Sequence, residues 1–315
     1  MCIRDSSGDE VIISLEKMNT VLDIDPVNYT MTVEAGCILS NIQDTALKKN
    51  RIFPLSLAAE GSCQIGGNLA TNAGGTGVLH YGNAKELVLG LEVVLADGSI
   101  INSLKQLRKD NTGYDVKQLF MGSEGTLGII TKAVIKLFPV AENKVSSILA
   151  LPNIESTVNA LANLRVKTGD SITAFEYMDK NCIDLLMKQL KVNDIFNKKY
   201  NHYVLVELSS SRKGDNLMAL LEDAISTSIE SGDIIDAIVA SNESQSAQFW
   251  NFRESLPDLL KTNGDFVTFD ISVPISKLKE LIEKAEKICA HLPLNLKSYI
   301  FGPVSYTHLT LPTKA

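Results

Sequence analysis

At 315 residues, with 45% hydrophobic and 21% charged side chains, the chain has the composition of a globular protein that buries a real core, and its length favours about two domains. Its formal net charge of −7 excludes a nucleic-acid surface, which needs clustered Lys and Arg, and the short basic pair at Arg108 and Lys109 does not reverse that. No apolar run reaches the roughly 18 residues of a transmembrane helix.

In chain order, EVIISLEKMN and YTMTVEAG predict short strands, the second with Thr30, Thr32 and Glu34 alternating against Met31 and Val33. A helix opens at Gly36, runs through ILSNIQDTALKKN and is closed by RIFP. Beyond a glycine-rich stretch, LVLGLEVVLADGSII predicts two strands joined at Asp97-Gly98, a dipeptide suited to a type I′ turn. LRKDNTGYD is a polar connection, and GSEGTLGIITKAVIKLFP passes from a glycine loop into a strand that ends before Pro139. After Pro139, strand-like segments near 145–150, 172–177, 201–208, 234–240, 265–272 and 297–301 alternate with helical ones. The clearest helix is SKLKELIEKAEKICAH, whose Leu278, Leu281, Ile282, Ala285, Ile288 and Cys289 form one apolar stripe. This change of rhythm sets a domain boundary near residue 140 and predicts a second α+β domain with helices on one face of a sheet.

Residues 1–6, MCIRDS, and 303–315, PVSYTHLTLPTKA, fit their neighbours badly and are expected to be non-native flanks of a truncated reading frame. The cysteines (Cys2, Cys37, Cys63, Cys182, Cys289) are scattered without a C-x-x-C pair and read as free thiols of a reducing compartment. With no apolar signal-peptide stretch at the start, the expectation is a cytoplasmic protein. His80, His202, His291 and His308 show no metal-ligand spacing, so no metal site is assigned.

The stretch EGSCQIGGNLATNAGGTG, residues 60–77, holds six of the twenty glycines. Glycine costs backbone entropy, so such crowding needs a positive φ or a ligand close to the backbone. A P-loop is excluded because G-x-x-x-x-G-K-[ST] does not occur. A Rossmann loop fails because His80 stands where the third glycine after Gly75-Thr76-Gly77 belongs. There remain a longer loop whose amides wrap an extended diphosphate, and a plain glycine-rich turn between core elements. In the first reading Gly66 and Gly67 precede a short helix, NLATNA, whose N-terminus adds partial positive charge, and Asn68, Thr71 and Asn72 supply side-chain hydrogen bonds. Spacing leaves both readings open.

GSCQIGGNLATNAGG, YGNAKELVLGLEVVLADG, LRKDNTGYDVKQLFMGSEGTLGIIT and KLFP together resemble the FAD-binding domain of the vanillyl-alcohol-oxidase (PCMH) type. Within that superfamily the chain is most similar to the D-2-hydroxyglutarate, D-lactate and glycolate-oxidase-subunit dehydrogenases. The resemblance spans residues 7–302 and is most specific over 56–139. It implies an α+β fold: the second subdomain of a PCMH-type FAD-binding domain over 7–140, then a ferredoxin-like cap and substrate domain over 141–302, both partial. The family's first flavin subdomain, with its own pyrophosphate loop, is expected before residue 7. FAD, bound non-covalently, would meet Gly61, Ser62, Gly66, Gly67, Asn68, Thr71, Asn72 and Gly75. Gly125, Gly128 and Ile130 would meet its ribose and adenine side by main-chain contact.

The implied reaction oxidises a D-2-hydroxy acid to the 2-oxo acid by hydride transfer to the flavin. Electrons would pass to a quinone, cytochrome or electron-transfer flavoprotein, so peripheral placement at the inner membrane through that acceptor is compatible with a cytoplasmic protein. Such chemistry needs a cation for the carboxylate and a base for the hydroxyl proton. FWNFRESLP offers Arg253, which spacing alone reads as a solvated arginine paired with Glu254 or Asp258, and the family's W-x-x-R-E stretch reads as the carboxylate anchor. Where the 2-hydroxyglutarate enzymes carry a substrate-contacting lysine, this chain has Thr268, which puts a dicarboxylate substrate in question. The family's histidine-rich segment, source of its general base and divalent-metal ligands, is expected straight after Gly302, where Pro303 begins the foreign-looking tail. No catalytic base is therefore assigned, and a divalent metal is expected only in the full-length parent. His80 follows the glycine loop, which would bring it near the flavin, and the resemblance implies the same for Tyr114; spacing alone makes them a satisfied loop histidine and a packed tyrosine. The alternative function is a catalytically inactive flavin-binding or structural remnant.

Overall fold

The computed structural model describes residues 11–169, 171–191, 195–262, 266–267, 269–291, 297–304, 309–310 and 313–314. The chain forms two compact units that divide between Val140 and Ala141, with Val78–His80 counted in the second.

In the first unit β1 (Val21–Asp25), β2 (Thr30–Glu34), α1 (Leu39–Leu47) and β3 (Arg51–Ile52) precede the glycine stretch, which holds α2 (Ile65–Ala70). After α3 (Val78–Tyr81) come β4 (Val88–Val94), β5 (Ile100–Ser103), α4 (Lys117–Phe120), β6 (Ile129–Lys136) and β7 (Phe138–Pro139). An antiparallel sheet of order β1-β2-β6-β4-β5 puts IITKAVIK in its centre, with five of its eight residues buried. Met31 and Val33 of β2, Ala133 and Ile135 of β6, and Leu39 and Ile42 of α1 share one core.

Three sequence expectations change here. EVIISLEKMN forms no strand over its described residues: Val11, Ile12 and Ile13 are exposed, and the segment turns where Met18 N–H donates to Leu15 O. The alternation expected of β2 is lost, because Thr30 and Thr32 are buried along with Met31 and Val33. Its sheet is therefore covered on both faces at that strand. Asp97-Gly98 does join two strands, but through a type I turn followed by Gly98 at φ +85° rather than a type I′ turn. The Asp97 carboxylate accepts from the Ser99 amide at 2.9 Å and hydroxyl at 2.6 Å, which holds Asp97 itself at negative φ.

The second unit comprises β8 (Asn143–Leu151), α5 (Ile154–Thr168), β9 (Ile172–Asp179), α6 (Lys180–Leu190), β10 (His202–Ser210), α7 (Leu217–Glu230) and β11 (Asp236–Val239). α8 (Glu243–Thr262), β12 (Phe266–Val267), β13 (Asp270–Ile271), α9 (Leu278–His291), β14 (Phe301–Pro303) and β15 (Leu309–Thr310) follow. The antiparallel sheet order is β11-β8-β10-β9-β14-β15-β13. Helices cover both faces, not one. Val145, Leu149, Phe175, Tyr177, Val204 and Val206 pack with α5, α7 and α9, whereas Ile148, Met178, Tyr203 and Leu205 pack with α6 and α8. The cause is legible in SSILAL and YVLVEL, near-continuous apolar runs that leave no face for water.

Candidate functional site

In the first unit an isolated bridge, Ile38 to Gln64, pins the entry to α2. Gly66 then spends its amide on Ala35 O at 2.7 Å, and a β-carbon there would lie 2.7 Å from the Ala35 methyl. Gly66 and Gly67 sit inside α2 rather than before it. Gly66 is thus a packing glycine. Gly67 and Gly61 differ: both are exposed, a β-carbon on either would meet nothing within 4 Å, and neither amide has an acceptor among the described residues. Gly75 holds φ +129° with a would-be β-carbon 2.3 Å from Ser56 O, so only glycine fits. The amides of Gly74, Gly75, Thr76 and Gly77 also lack acceptors among the described residues.

The side chains predicted to reach a ligand are partly engaged by their own chain. Asn68, buried, donates to Cys63 Sγ at 3.3 Å; Thr71 Oγ1 donates to Gly67 O at 3.0 Å; Asn72 Oδ1 accepts from the Lys85 amide at 3.0 Å. Ser62 is exposed and donates to Ala59 O. A second glycine loop joins this one: Gly122 N–H donates to Leu69 O at 3.2 Å and Glu124 N–H to Ala70 O at 2.9 Å, the last two carbonyls of α2. Gly125 and Gly128 follow at φ +81° and +159°, and Ile130 lies in β6 with its side chain buried and Val93 as its ladder partner. Loop amides without acceptors among the described residues, and the open faces of Gly61 and Gly67, fit the diphosphate of a dinucleotide such as FAD.

In the second unit Arg253 of α8 pairs with neither Glu254 nor Asp258. Its Nε donates to Glu176 Oε2 at 2.6 Å, with the arginine side chain 14% exposed and the glutamate 0%. The guanidinium lies 4.9 Å from the Phe301 ring centre. One turn earlier Trp250 Nε1 donates to Glu207 Oε2 at 2.7 Å, so two sheet carboxylates hold α8. Glu176 escaped the sequence reading, although a lone glutamate inside the apolar strand ITAFEYMD signals it. Thr268, like His308 and Cys2, lies outside the described residues.

The other histidines take separate positions. His80 is exposed in α3, His202 Nδ1 lies 2.7 Å from the Tyr177 hydroxyl, and His291 Nδ1 contacts Lys287 O at the end of α9. Burial lowers the His202 pKa below its ordinary value. Tyr114 is 97% exposed rather than packed. Among the described residues no cluster of His, Cys, Asp or Glu could hold a metal ion. No helix among them is long and apolar enough to cross a membrane.

Comparison with known proteins accords with this architecture. Residues 2–103 match the model for an FAD binding domain, and residues 140–309 that for the C-terminal domain of FAD linked oxidases. The fold is the PCMH-type flavin-binding fold. Among solved structures, p-cresol methylhydroxylase with substrate bound superposes at TM-score 0.70 with 14% identity, over 95% of this chain and 65% of that one. An alkyldihydroxyacetonephosphate synthase gives TM-score 0.66 with 19% identity over 95% and 60%. The chain belongs to the FAD-linked oxidase family. Among curated relatives, a probable mitochondrial D-2-hydroxyglutarate dehydrogenase of Oryza sativa subsp. indica is 42% identical over 278 residues, 88% of this chain and 50% of the relative. The mitochondrial D-2-hydroxyglutarate dehydrogenase of Rattus norvegicus is 39% identical over 87% and 51%. A putative mitochondrial D-lactate dehydrogenase of Schizosaccharomyces pombe is 36% identical over 89% and 53%. The chain thus spans about half the length of the curated relatives it matches.

Proposed function

We propose that this chain serves an FAD-dependent dehydrogenase that oxidises a D-2-hydroxy acid (D-2-hydroxyglutarate, D-lactate or glycolate) to its 2-oxo acid. The observation that carries the reading is the run of acceptor-free amides at Gly74–Gly77, with those of Gly61 and Gly67, in a family whose members bind FAD. These amides hold the cofactor's diphosphate without a covalent bond, Ser62, Asn68, Thr71 and Asn72 border it, and Gly125, Gly128 and Ile130 offer main chain to its ribose and adenine side. When bound, FAD supplies the acceptor for the substrate's hydride. Residues 7–140 serve the flavin and residues 141–302 the substrate. Arg253 takes the substrate carboxylate, because one of its five donors is spent on Glu176 and its Nη1 and Nη2 have no acceptor among the described residues. Thr268, proposed from the family resemblance, offers the substrate a hydroxyl and no charge.

Electrons leave to a quinone, cytochrome or electron-transfer flavoprotein. We assign the general base and any divalent metal to none of the residues named here. The scattered thiols support a reducing compartment, for which we propose the cytoplasm; the relatives above carry mitochondrial names, and cell fractionation decides between the two.

The full-length protein should be purified yellow, release its flavin on denaturation, and lose its flavin colour on anaerobic addition of a D-2-hydroxy acid. Colourless protein that FAD cannot reconstitute would overturn the reading. Arg253→Ala should lower kcat/KM at least about tenfold, since a charge-assisted contact is worth about 1.5–3 kcal/mol and 1.4 kcal/mol is one decade. Comparing D-lactate with D-2-hydroxyglutarate on wild type and on Thr268→Lys locates the second carboxylate. A wild type strongly selective for the dicarboxylate and indifferent to the lysine would remove Thr268 from the site.

A further inference from the structure

We propose that Glu176 is a positioning residue that aims Arg253 at the substrate carboxylate, an inference that rests on the reading of Arg253 given above. Glu176 sits in mid-strand, paired in register with Leu205 on one side and Pro303 on the other, on the face that also carries Met178. That is a core position, and a carboxylate there is fully buried. Burying an ion pair is a poor route to stability, because desolvation of both charges offsets their attraction.

The contact is also not the one that would bind the pair most firmly. A carboxylate and a guanidinium make their strongest pair with two parallel hydrogen bonds. Here the contact is a single 2.6 Å bond from Nε to Oε2, and Oε1 is buried with no partner among the described residues. Glu176 therefore grips the guanidinium at its root. The Phe301 ring packs against the guanidinium, its centre 4.9 Å from Cζ, and Trp250, bonded to Glu207, holds the same helix one turn back. What this leaves without an acceptor among the described residues is the Nη1–Nη2 edge, the fork that matches one carboxylate in two bonds.

Two replacements separate aim from charge in the full-length, FAD-loaded protein. Glu176→Gln keeps an acceptor at the same reach and removes the charge; Glu176→Asp keeps the charge and withdraws the acceptor by one methylene. If Glu176 aims the guanidinium, Glu176→Gln retains kcat/KM for D-2-hydroxy acids within about fivefold. Glu176→Asp loses at least about tenfold, and the dissociation constant for pyruvate, read from the flavin spectrum, rises with it. FAD content stays unchanged in both. The reverse order, Glu176→Asp near wild type and Glu176→Gln impaired, overturns the proposal, as does wild-type behaviour of both. Should one variant fail to fold, the other still decides: a folded Glu176→Gln impaired more than tenfold, or a folded Glu176→Asp within threefold of wild type, overturns it. Arg253→Ala runs in parallel. If that variant keeps full kcat/KM, the reading of Arg253 falls and this inference with it. If Arg253→Ala is crippled while the Glu176 order is reversed, only the positioning role falls.

Discussion

Asp179, the last residue of β9, does two things at once. Its carboxylate caps α6 by accepting the Cys182 amide at 2.8 Å, and it does so where burial, with Glu286 adding repulsion, pushes its pKa up to about 7. The unfolded carboxyl titrates near 3.8, so between these values the folded state holds a proton that the unfolded state lacks. The linked stability is complete below about pH 4 and is lost as pH rises through 7. Asparagine caps a helix as well as aspartate does. Asp179→Asn should therefore leave the melting temperature unchanged at pH 4 and raise it at pH 8, by a stability on the order of 2–4 kcal/mol after allowance for partial solvent contact. His202, whose pKa is lowered, acts in the opposite sense, contributing stability above its ordinary pKa that is lost as pH falls. Equal melting temperatures of wild type and Asp179→Asn across the range would contradict this account. Glycines divide as cleanly. Gly75→Ala strains a φ of +129° and drives a methyl against Ser56 O, so it should destabilise the first unit and abolish FAD retention, whereas Gly67→Ala meets open space. A Gly67→Ala protein that folds normally but retains less flavin marks Gly67 as a ligand-facing glycine, and equal effects of the two changes would remove the distinction.

At the scale of elements, α5 shows how much local chemistry decides. Asn153 Oδ1 accepts the Ser156 amide at 2.9 Å, Glu155 lies in the first turn, and Gly169 closes the helix at φ +61°. Asn153→Ala should cost about 1 kcal/mol, read from urea midpoints, and Asn153→Asp almost nothing. Such end signals, like the apolar stripe of α9 and the runs that became β8 and β10, were readable because they act over a few neighbouring residues. Other features were not. EVIISLEKMN has strand composition, but its first isoleucines face water, and composition does not say whether a neighbouring strand exists to pair with. Helices on both faces of the second sheet followed from apolar runs that were read only as strands. At the site, the glycine loop was legible because glycine spacing reports backbone demands directly. Glu176 was not, since nothing local says that a strand glutamate and a helix arginine 77 positions apart will meet.

Over the whole molecule, each unit has its own core, and the two should report separately. Calorimetry is expected to resolve two transitions. Leu39→Ala lowers one and Leu205→Ala the other, each by about 2–5 kcal/mol, as for a fully buried leucine. Added FAD raises the transition that Leu39→Ala lowers. A single transition moved alike by both changes would show that the units unfold together. The acceptor-free amides of Gly74–Gly77 carry a consequence in time rather than in energy. With nothing to hold their protons they should exchange with deuterated solvent within seconds, while those of β10, laddered to β8 and β9 on either side, wait for the second unit to unfold. The same four amides then become a clock for the cofactor: once diphosphate oxygens take their protons, their exchange should slow to the rate at which flavin leaves the protein.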